Sequence, residues 1–284
     1  MRKLVALVDG SLYSHSVCDL AAWIAEREEA AIELLHVIGR RQAEGGAANL
    51  SGSIALGART TLLKELSELD EQMAKVATTR GRAILEDAGA RLAEAGARDV
   101  STKLRTGDIV DTLEESEADA EAVVLGKRGE AADFARMHLG SNLERVVRAA
   151  RKPVYVAARA FRPIKRVLIA FDGGPSSLKA VDHAARSKVF AGLDIHLLTV
   201  GTDTGETRTR LQRAAETLAA GGHTPRVDVV AGQPETAIAR VVEDEGIDLL
   251  VMGAYGHSRI RSLIIGSTTT EMVRSCKVPV LLLR

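Results

Sequence analysis

The sequence is poor in several features that would point to particular classes of protein. Its two cysteines, Cys18 and Cys276, lie far apart in the chain, which argues against a disulfide framework or a zinc site and favours two small buried side chains. Aromatic residues make up only 3% of the chain and its net charge is zero, so no nucleic-acid partner is expected. No apolar run is long enough to cross a bilayer and no cleavage site follows Met1, so we predict a cytoplasmic protein without a membrane partner.

The common catalytic signatures are also missing from the sequence. It contains no G-x4-G-K-[ST] phosphate loop, no G-x-G-x-x-G after a strand, no H-E-x-x-H and no G-x-S-x-G. The sequence therefore gives no positive support for an enzyme, although it does not decide the question.

The sequence does contain an internal repeat. The strand-like run 4–8 leads to Asp9, the run 167–170 leads to Asp172, and the two aspartates are 163 positions apart. Later landmarks recur at an offset of 126 or 127, namely Gly126 with Gly253, Gly129 with Gly256, Gly140-Ser141 with Gly266-Ser267, and Pro153 with Pro279. In each copy strands alternate with helical patterns, so we predict two α/β domains, residues 1–160 and 161–284, each with a parallel sheet.

The first copy is longer than the second because it carries an insertion. From Val37 to Gly126 the chain advances 89 positions, whereas from Val200 to Gly253 it advances 53. We place a helical insertion at about 40–98. Its leucines and Met73 predict a helical hairpin or packing against the partner domain, with the intervening charges in solvent.

A glycine-rich loop follows the last apolar run of the second copy. Gly253 and Gly256 end that run, and Gly266 with hydroxyl residues opens the next helix, a pattern that suits a bound phosphate. The alternative is purely structural: the glycines close a turn, and Thr268 with Glu271 forms a capping box.

Taken together, these motifs resemble the universal stress protein family. The second copy matches its pattern with a strand ending in Asp172, a strand ending in Val200, and G-x2-G-x9-G-[ST] from Gly253 to Ser267. The resemblance covers the whole chain apart from the insertion, so the chain is identified as a tandem member. It implies an adenine nucleotide alpha hydrolase-like fold: two doubly wound domains, each a five-stranded parallel sheet of order 3-2-1-4-5 with helices on both faces.

The resemblance also implies a ligand, ATP with or without magnesium, at the carboxyl ends of the strands. Asp172 would meet the ribose or the adenine edge, Val200 the adenine through its main chain, and Met252 would flank the base. The residues that would admit or bind the phosphates are Gly253, Gly256, Gly266, Ser267, Thr268 and Thr269. Structural alternatives stay open, since Asp172 caps a helix equally well and valine is ordinarily core.

The first copy departs from the pattern. Its corresponding residues are Asp9, Val37, Gly126, Gly129, Gly140, Ser141 and Asn142. Ten residues instead of nine separate Gly129 from Gly140, and Glu130 and Asp133 would repel a triphosphate, although Lys127 and Arg128 would attract it. The nucleotide is therefore expected mainly in the second copy.

Three functions follow from this pattern. The first is an adenine-nucleotide-binding stress-response protein that is non-catalytic or only weakly hydrolytic. The second is a slow ATPase or an autophosphorylating enzyme, with Ser267 or Thr268 as acceptors. The third is a nucleotide-free scaffold that binds protein partners. The resemblance further implies that the last strands of the domains pair within the chain, and a homodimer is a further expectation.

Overall fold

One continuous ten-stranded sheet runs through the protein, in a computed structural model that describes residues 2–39, 56–127, 141–254 and 267–284. Within these ranges, nothing is described for the side chains of 56–62, 141 and 267. The elements of the first half are β1 (Lys3–Leu7), α1 (Ser14–Glu28), β2 (Ala31–Gly39), α2 (Leu56–Glu94), β3 (Val100–Gly107), α3 (Ile109–Glu117), β4 (Ala122–Gly126), α4 (Ser141–Ala149) and β5 (Val154–Ala157).

The second half repeats this order with a shorter connection after its second strand. Its elements are β6 (Arg166–Ala170), α5 (Pro175–Arg186), a 3-10 turn (Lys188–Phe190), β7 (Asp194–Val200), α6 (Gly205–Ala220), β8 (Arg226–Val230), α7 (Pro234–Asp244), β9 (Leu249–Gly253), α8 (Ser267–Ser275) and β10 (Val280–Leu283). By position, α6 corresponds to the second part of α2.

The strand order is β3-β2-β1-β4-β5-β10-β9-β6-β7-β8. Each half is a parallel sheet of order 3-2-1-4-5, which confirms the predicted fold class. The halves meet at β5 and β10, which pair antiparallel with Tyr155 opposite Leu281. The two outermost strands of the ten are therefore β3 and β8.

Helices cover both faces of the sheet. The strands β4, β5, β9 and β10 are buried along nearly their whole length, as expected for parallel strands covered on both sides. One apolar cluster includes Leu20 of α1, Leu92 of α2, Val181 of α5 and Leu218 of α6. The other includes Leu113 of α3, Val146 of α4, Ile238 of α7 and Met272 of α8.

Helix α2 differs from the prediction made for the insertion. A single helix of 39 residues occupies 56–94, so the predicted hairpin is wrong for this range. No proline interrupts these residues, and a helix that has formed extends at little cost through such a stretch. Its second part reaches the core through Leu85, Ala88 and Leu92, whereas Leu69 and Met73 in its first part are exposed.

Polar contacts also join the two halves. Glu28, at the end of α1, accepts hydrogen bonds at Oε1 from the Ser187 hydroxyl (2.5 Å) and the Val189 N–H (3.3 Å). Arg27 Nε donates to the carbonyl of Val189 (2.7 Å). Within the described ranges, no helix has the length and apolarity that a bilayer crossing requires.

Candidate functional site

Three strands of the second half bring the predicted ligand residues to one edge of the sheet. Strand β6 lies between β7 and β9, with Ala170 in register with both Leu198 and Met252. Asp172 follows β6 by two residues, Val200 is the last residue of β7, and Gly253 is the last of β9. The carboxyl ends of these strands therefore place Asp172, Val200 and Gly253 near one another. We call this the second carboxyl edge. Gly256 and Gly266 lie outside the described residues.

The aspartate at this edge has a structural role. Asp172 Oδ1 accepts hydrogen bonds from the Gly174 N–H (2.8 Å) and from the Ser177 hydroxyl (2.6 Å). Gly174 is the N-cap of α5 and has no side chain with which to cap the helix, so Asp172 supports the turn from strand to helix.

The first half repeats this aspartate arrangement. Asp9 Oδ1 accepts from the Ser11 N–H (3.0 Å) and from the Ser14 hydroxyl (3.4 Å). In both halves the aspartate therefore supports the turn before the helix, whereas the helix cap considered for Asp172 is not formed, because the N-cap residues are Tyr13 and Gly174. A ligand contact would be an additional role.

A glycine follows each aspartate, and the side chain above that glycine differs between the halves. Gly173 has a φ of +76°, and the position of a Cβ there would lie 3.2 Å from Nη1 of Arg210 on α6. At Gly10, where φ is +75°, the nearest atom is Cγ1 of Ile84 on α2, at 2.9 Å. A guanidinium therefore stands at the second carboxyl edge, where the first half has an aliphatic side chain.

Arg210 was not predicted as a site residue, although the internal repeat places it at the position that corresponds to Ile84. Ile84 and Arg210 are 126 positions apart, which is the offset that relates Gly140 to Gly266. The Arg210 side chain is about half exposed, and its Nη2 lies 3.8 Å from Oε1 of Glu206, which is a weak surface pairing.

Val200 and Met252 differ in what they offer a ligand. Met252 is only 5% exposed, and its side chain belongs to the apolar cluster beneath α7 and α8. Val200 is half-buried at the end of β7. Of the two, Val200 has the more accessible position at the edge.

Gly253 is needed for helix packing. A Cβ at this position would lie 2.7 Å from Cβ of Ser176 and 3.1 Å from the backbone nitrogen of Ser177. The space beside Gly253 is therefore filled by the start of α5, which comes this close only because the strand ends in glycine. Any contact of Gly253 with a ligand would be made by its main chain.

Two threonine hydroxyls at the start of α8 are bonded within the protein. Thr268 Oγ1 donates to Oε1 of Glu235 on α7 (2.7 Å), and Thr269 Oγ1 donates to the carbonyl of Gly253 (3.2 Å). Hydrogen bonds from its own backbone N–H and from Thr268 hold the pKa of Glu235 below its usual value. Besides these two hydroxyls, the start of α8 offers a ligand the N–H groups of its first turn, which have no partner within the helix, and the positive end of its dipole.

The capping box predicted from Thr268 and Glu271 is not formed. Thr268 lies inside α8, which begins at Ser267, and its hydroxyl is bonded to Glu235. Glu271 Oε2 instead accepts from Nη2 of Arg274 (2.5 Å). The prediction was wrong because arginine three residues later is a stronger partner for the carboxylate than a neutral backbone N–H.

The first half is less suited to a phosphate. Val37 lies in β2, Gly126 ends β4, and Asn142 is exposed on α4. Gly129 and Gly140 lie outside the described residues, and Ser141 is described only as the first residue of α4. Lys127, which was expected to attract a phosphate, is buried and donates to the main-chain carbonyl of Cys276 in the second half.

Both cysteines are free thiols, and both are buried, as predicted. Burial raises the pKa of the Cys18 thiol to about 12 and that of Cys276 in the same direction, so neither is a reactive thiolate near neutral pH. In the part of the chain that the structure describes, no group of three or more histidine, cysteine, aspartate or glutamate side chains could hold a metal ion.

Comparison with known proteins gives consistent matches along the chain. The family model described as the universal stress protein family matches residues 1–158 and again 163–284. Universal stress protein Slr1230 of Synechocystis is 39% identical, with 100% of both chains covered. A universal stress protein of Mycolicibacterium smegmatis is 27% identical, over 98% of this chain and 95% of the relative. The solved structure of a universal stress protein from Archaeoglobus fulgidus has a TM-score of 0.69 at 23% identity, covering 99% of this chain and 98% of the other.

Proposed function

Because the chain belongs to the universal stress protein family, we propose that it is a cytoplasmic stress-response protein that binds an adenine nucleotide, ATP, mainly in its second half. Binding is its function, and hydrolysis is absent or weak. The observation that carries the assignment to the second half is the guanidinium of Arg210 above Gly173, where the first half has Ile84 above Gly10. The two free thiols support the location, because disulfides are rare in the cytoplasm.

The chemistry of the second carboxyl edge suits this ligand. In this proposal the main chain at Val200 meets the adenine, Asp172 meets the ribose or the adenine edge, and the phosphates approach the N–H groups at the start of α8. A triphosphate is strongly anionic, and a helix N-terminus with an arginine supplies charge of the opposite sign. Gly256 and Gly266 belong to the same proposal through their positions in the family pattern.

The first half lacks this positive charge opposite the phosphates. Ile84 carries no charge, and the ammonium of Lys127 is bonded to Cys276. Since an aliphatic side chain gives no compensation for a charged phosphate, ATP binds there more weakly. The residues Asp9, Val37, Gly126, Gly129, Gly140, Ser141 and Asn142 form, in this proposal, the weaker site.

Magnesium, if present, comes with the nucleotide. The described residues offer no metal cluster of their own, and Mg²⁺ in nucleotide sites is commonly held by the phosphates and water with few protein ligands. The start of α8 gives no support for autophosphorylation at Thr268, because that hydroxyl already donates to Glu235.

The domain boundary forms part of the same proposal. We place it at about residue 160, between the domains 1–160 and 161–284. The two matches to the family model end at 158 and resume at 163, which supports this division.

A calorimetric titration with ATP tests the proposal on the full chain. Arg210→Ile should weaken binding by about tenfold or more, the usual range for losing a charge-assisted hydrogen bond. The reciprocal variant Ile84→Arg should strengthen a second, weaker event. Arg208→Ile is the matched control, since Arg208 is on the same helix but pairs with Asp203 (2.7 Å), and it should bind as the wild type does.

Each outcome of this titration is informative. A wild-type protein that binds no ATP, and releases no adenine nucleotide on denaturation after purification, contradicts the nucleotide-binding function and favours a scaffold. Binding that is unchanged in Arg210→Ile contradicts the assignment to the second half. Steady accumulation of ADP at more than a trace rate favours the slow ATPase.

A further inference from the structure

The first part of α2 exposes an apolar face that the described core does not use. Leu69 is 51% exposed, Met73 42% and Val76 68%, and Leu66 is half-buried. Between residues 63 and 80 no side chain is buried, and burial begins at Gly81. Large apolar residues that are grouped on one helix and exposed mark an interaction surface more often than isolated ones do.

The spacing of these residues is typical of helix pairing. Leu62, Leu66, Leu69, Met73 and Val76 follow one another at intervals of four, three, four and three positions. This is the a/d repeat of a two-stranded coiled coil, in which apolar residues recur every 3.5 positions on average. We call the face formed by Leu66, Leu69, Met73 and Val76 the α2 seam.

The seam ends where α2 begins to pack on its own sheet. A Cβ at Gly81 would lie 2.8 Å from Cδ1 of Leu104 on β3, so the helix is in close contact there. Beyond this point the buried residues Leu85, Ala88 and Leu92 face the core. One helix thus carries two apolar faces in succession, and only the second is covered within the described chain.

The charges along the seam differ between its two ends. Residues 63–72 contain Lys64 against four carboxylates, Glu65, Glu68, Asp70 and Glu71, which gives a net charge of −3. Residues 73–82 contain only the cations Lys75, Arg80 and Arg82, which gives +3. The segment is therefore complementary to itself when two copies lie in opposite directions.

We propose that the α2 seam pairs with the α2 seam of a second copy of this chain, in antiparallel orientation. Leu66 of one protomer then lies opposite Val76 of the other, and Leu69 opposite Met73, around a two-fold axis. The acidic end of each helix faces the basic end of its partner. A parallel pair instead places Glu65 beside the other chain's Asp70, where like charges repel.

A second copy fits this surface better than a membrane does. Residues 63–82 carry no net charge, because the −3 of one end balances the +3 of the other, so the segment has no net electrostatic attraction to an anionic bilayer surface. The seam is also a narrow a/d stripe, which suits one helix.

Sedimentation equilibrium of the full-length protein tests whether a dimer forms. The wild type should be a dimer at about 50 μM, a concentration well above a micromolar dissociation constant. Leu69→Glu with Met73→Glu buries four carboxylates per dimer and should raise the dissociation constant at least about 100-fold. The control is Leu178→Glu, a leucine of α5 that is 51% exposed outside the seam, and it should leave the dimer intact.

Cysteine cross-linking tests the orientation. In the antiparallel pair, a mixture of Leu66→Cys and Val76→Cys proteins forms disulfide-linked dimers under a mild oxidant, while neither variant links to itself. Residues 66 and 76 are about 15 Å apart along a helix, too far for a disulfide in the wrong register. Cys18 and Cys276 are buried and do not interfere.

Three outcomes overturn the proposal. They are a monomeric wild type at about 50 μM, a dimer that survives Leu69→Glu with Met73→Glu, and self-linking of both single-cysteine variants. Thermal melts should show that the double variant keeps the wild-type fold, because both substituted side chains are exposed within the chain.

Discussion

The Cβ of Ser176 lies 2.7 Å from the position that a side chain on Gly253 would occupy. Gly253→Ala should therefore destabilise the protein by about 1–3 kcal/mol, the usual cost of overpacking, because the atoms beside this position include backbone atoms of Ser176 and Ser177 in α5 that cannot move aside. Urea unfolding measures this change. Gly89→Ala is the control: apart from its chain neighbours and the backbone of its own helix α2, no atom lies within 4 Å of its Cβ position, so it should be neutral or stabilise slightly. Equal stability of Gly253→Ala and the wild type would contradict the packing argument.

Leu282→Pro should disrupt the junction between the two halves. Leu282 pairs with Val154 of β5 on one side and with Met252 of β9 on the other. Proline cannot donate a ladder hydrogen bond, and its ring does not fit an interior strand, so we expect a loss of about 3 kcal/mol or more. Thermal unfolding is the measurement, with Leu282→Val as the mild control. A single cooperative transition at the wild-type temperature would count against this prediction.

His183 should make the protein less stable in acid. Burial lowers the pKa of His183 below its ordinary value of 6.5, and its buried Nε2 atom has no hydrogen-bond partner among the described residues. Below pH 6.5 the unfolded chain binds a proton that the folded chain resists, so this contribution to stability is present above that pH and falls as the pH decreases toward the folded pKa.

His183→Phe tests this pH dependence. Phenylalanine keeps a ring against Phe190, whose centroid lies 6.0 Å from that of His183, and it removes the titrating group. The loss of unfolding free energy between pH 8 and pH 5 should be smaller in this variant. His15→Gln, at an exposed position, should retain the wild-type profile. An identical profile for His183→Phe would show that His183 is not responsible.

Thr268→Val should affect stability more than nucleotide affinity. The Thr268 hydroxyl donates to Glu235, so its removal should cost about 0.5–1.5 kcal/mol. The proposed phosphate contact uses backbone N–H groups, which valine retains, so ATP affinity should change by less than about threefold. Urea unfolding and calorimetry measure the two quantities. A large loss of affinity with unchanged stability would assign the hydroxyl to the ligand.

The sheet was predictable because its information is local and repeated. Strand β6 was expected over 167–170 and spans Arg166–Ala170, since a short aliphatic run bounded by Asp172-Gly173 has few alternatives. The matching offsets of Asp9 and Asp172 gave the same order of elements twice. Because the same weak pattern occurs in both copies, the elements assigned in one copy support those assigned in the other.

The details of the candidate site were not predictable in the same way. Gly253 could be recognised as a special position, but a strand-end glycine does not reveal that Ser176 fills the space beside it. The hydroxyl of Thr268 could not be assigned to Glu235, because 33 positions separate them and only the packing of α8 on α7 brings them together. For the same reason the contact of Arg210 with Gly173 depends on how α6 crosses the strand ends.

Helix α2 shows what the apolar periodicity of a sequence leaves undecided. Leucines at intervals of three and four positions are compatible with a hairpin, with packing on the sheet and with pairing to another chain. The periodicity indicates a helix but does not say what covers its apolar face. In the structure Leu92 is buried and Leu69 is exposed on the same helix.

The antiparallel pairing of β5 with β10 turns the carboxyl edges of the two halves in opposite directions. Strands of the first half all point one way and those of the second half the other, so the loops after Asp9 and Asp172 emerge at opposite rims of the sheet. Helix α2 follows the carboxyl end of β2, which lies at the same rim as Asp9. The stretch of α2 without buried side chains comes first in the helix, so it projects at that rim. Pairing of the α2 seam at that rim leaves the opposite rim, with Asp172 and Arg210, accessible from solution.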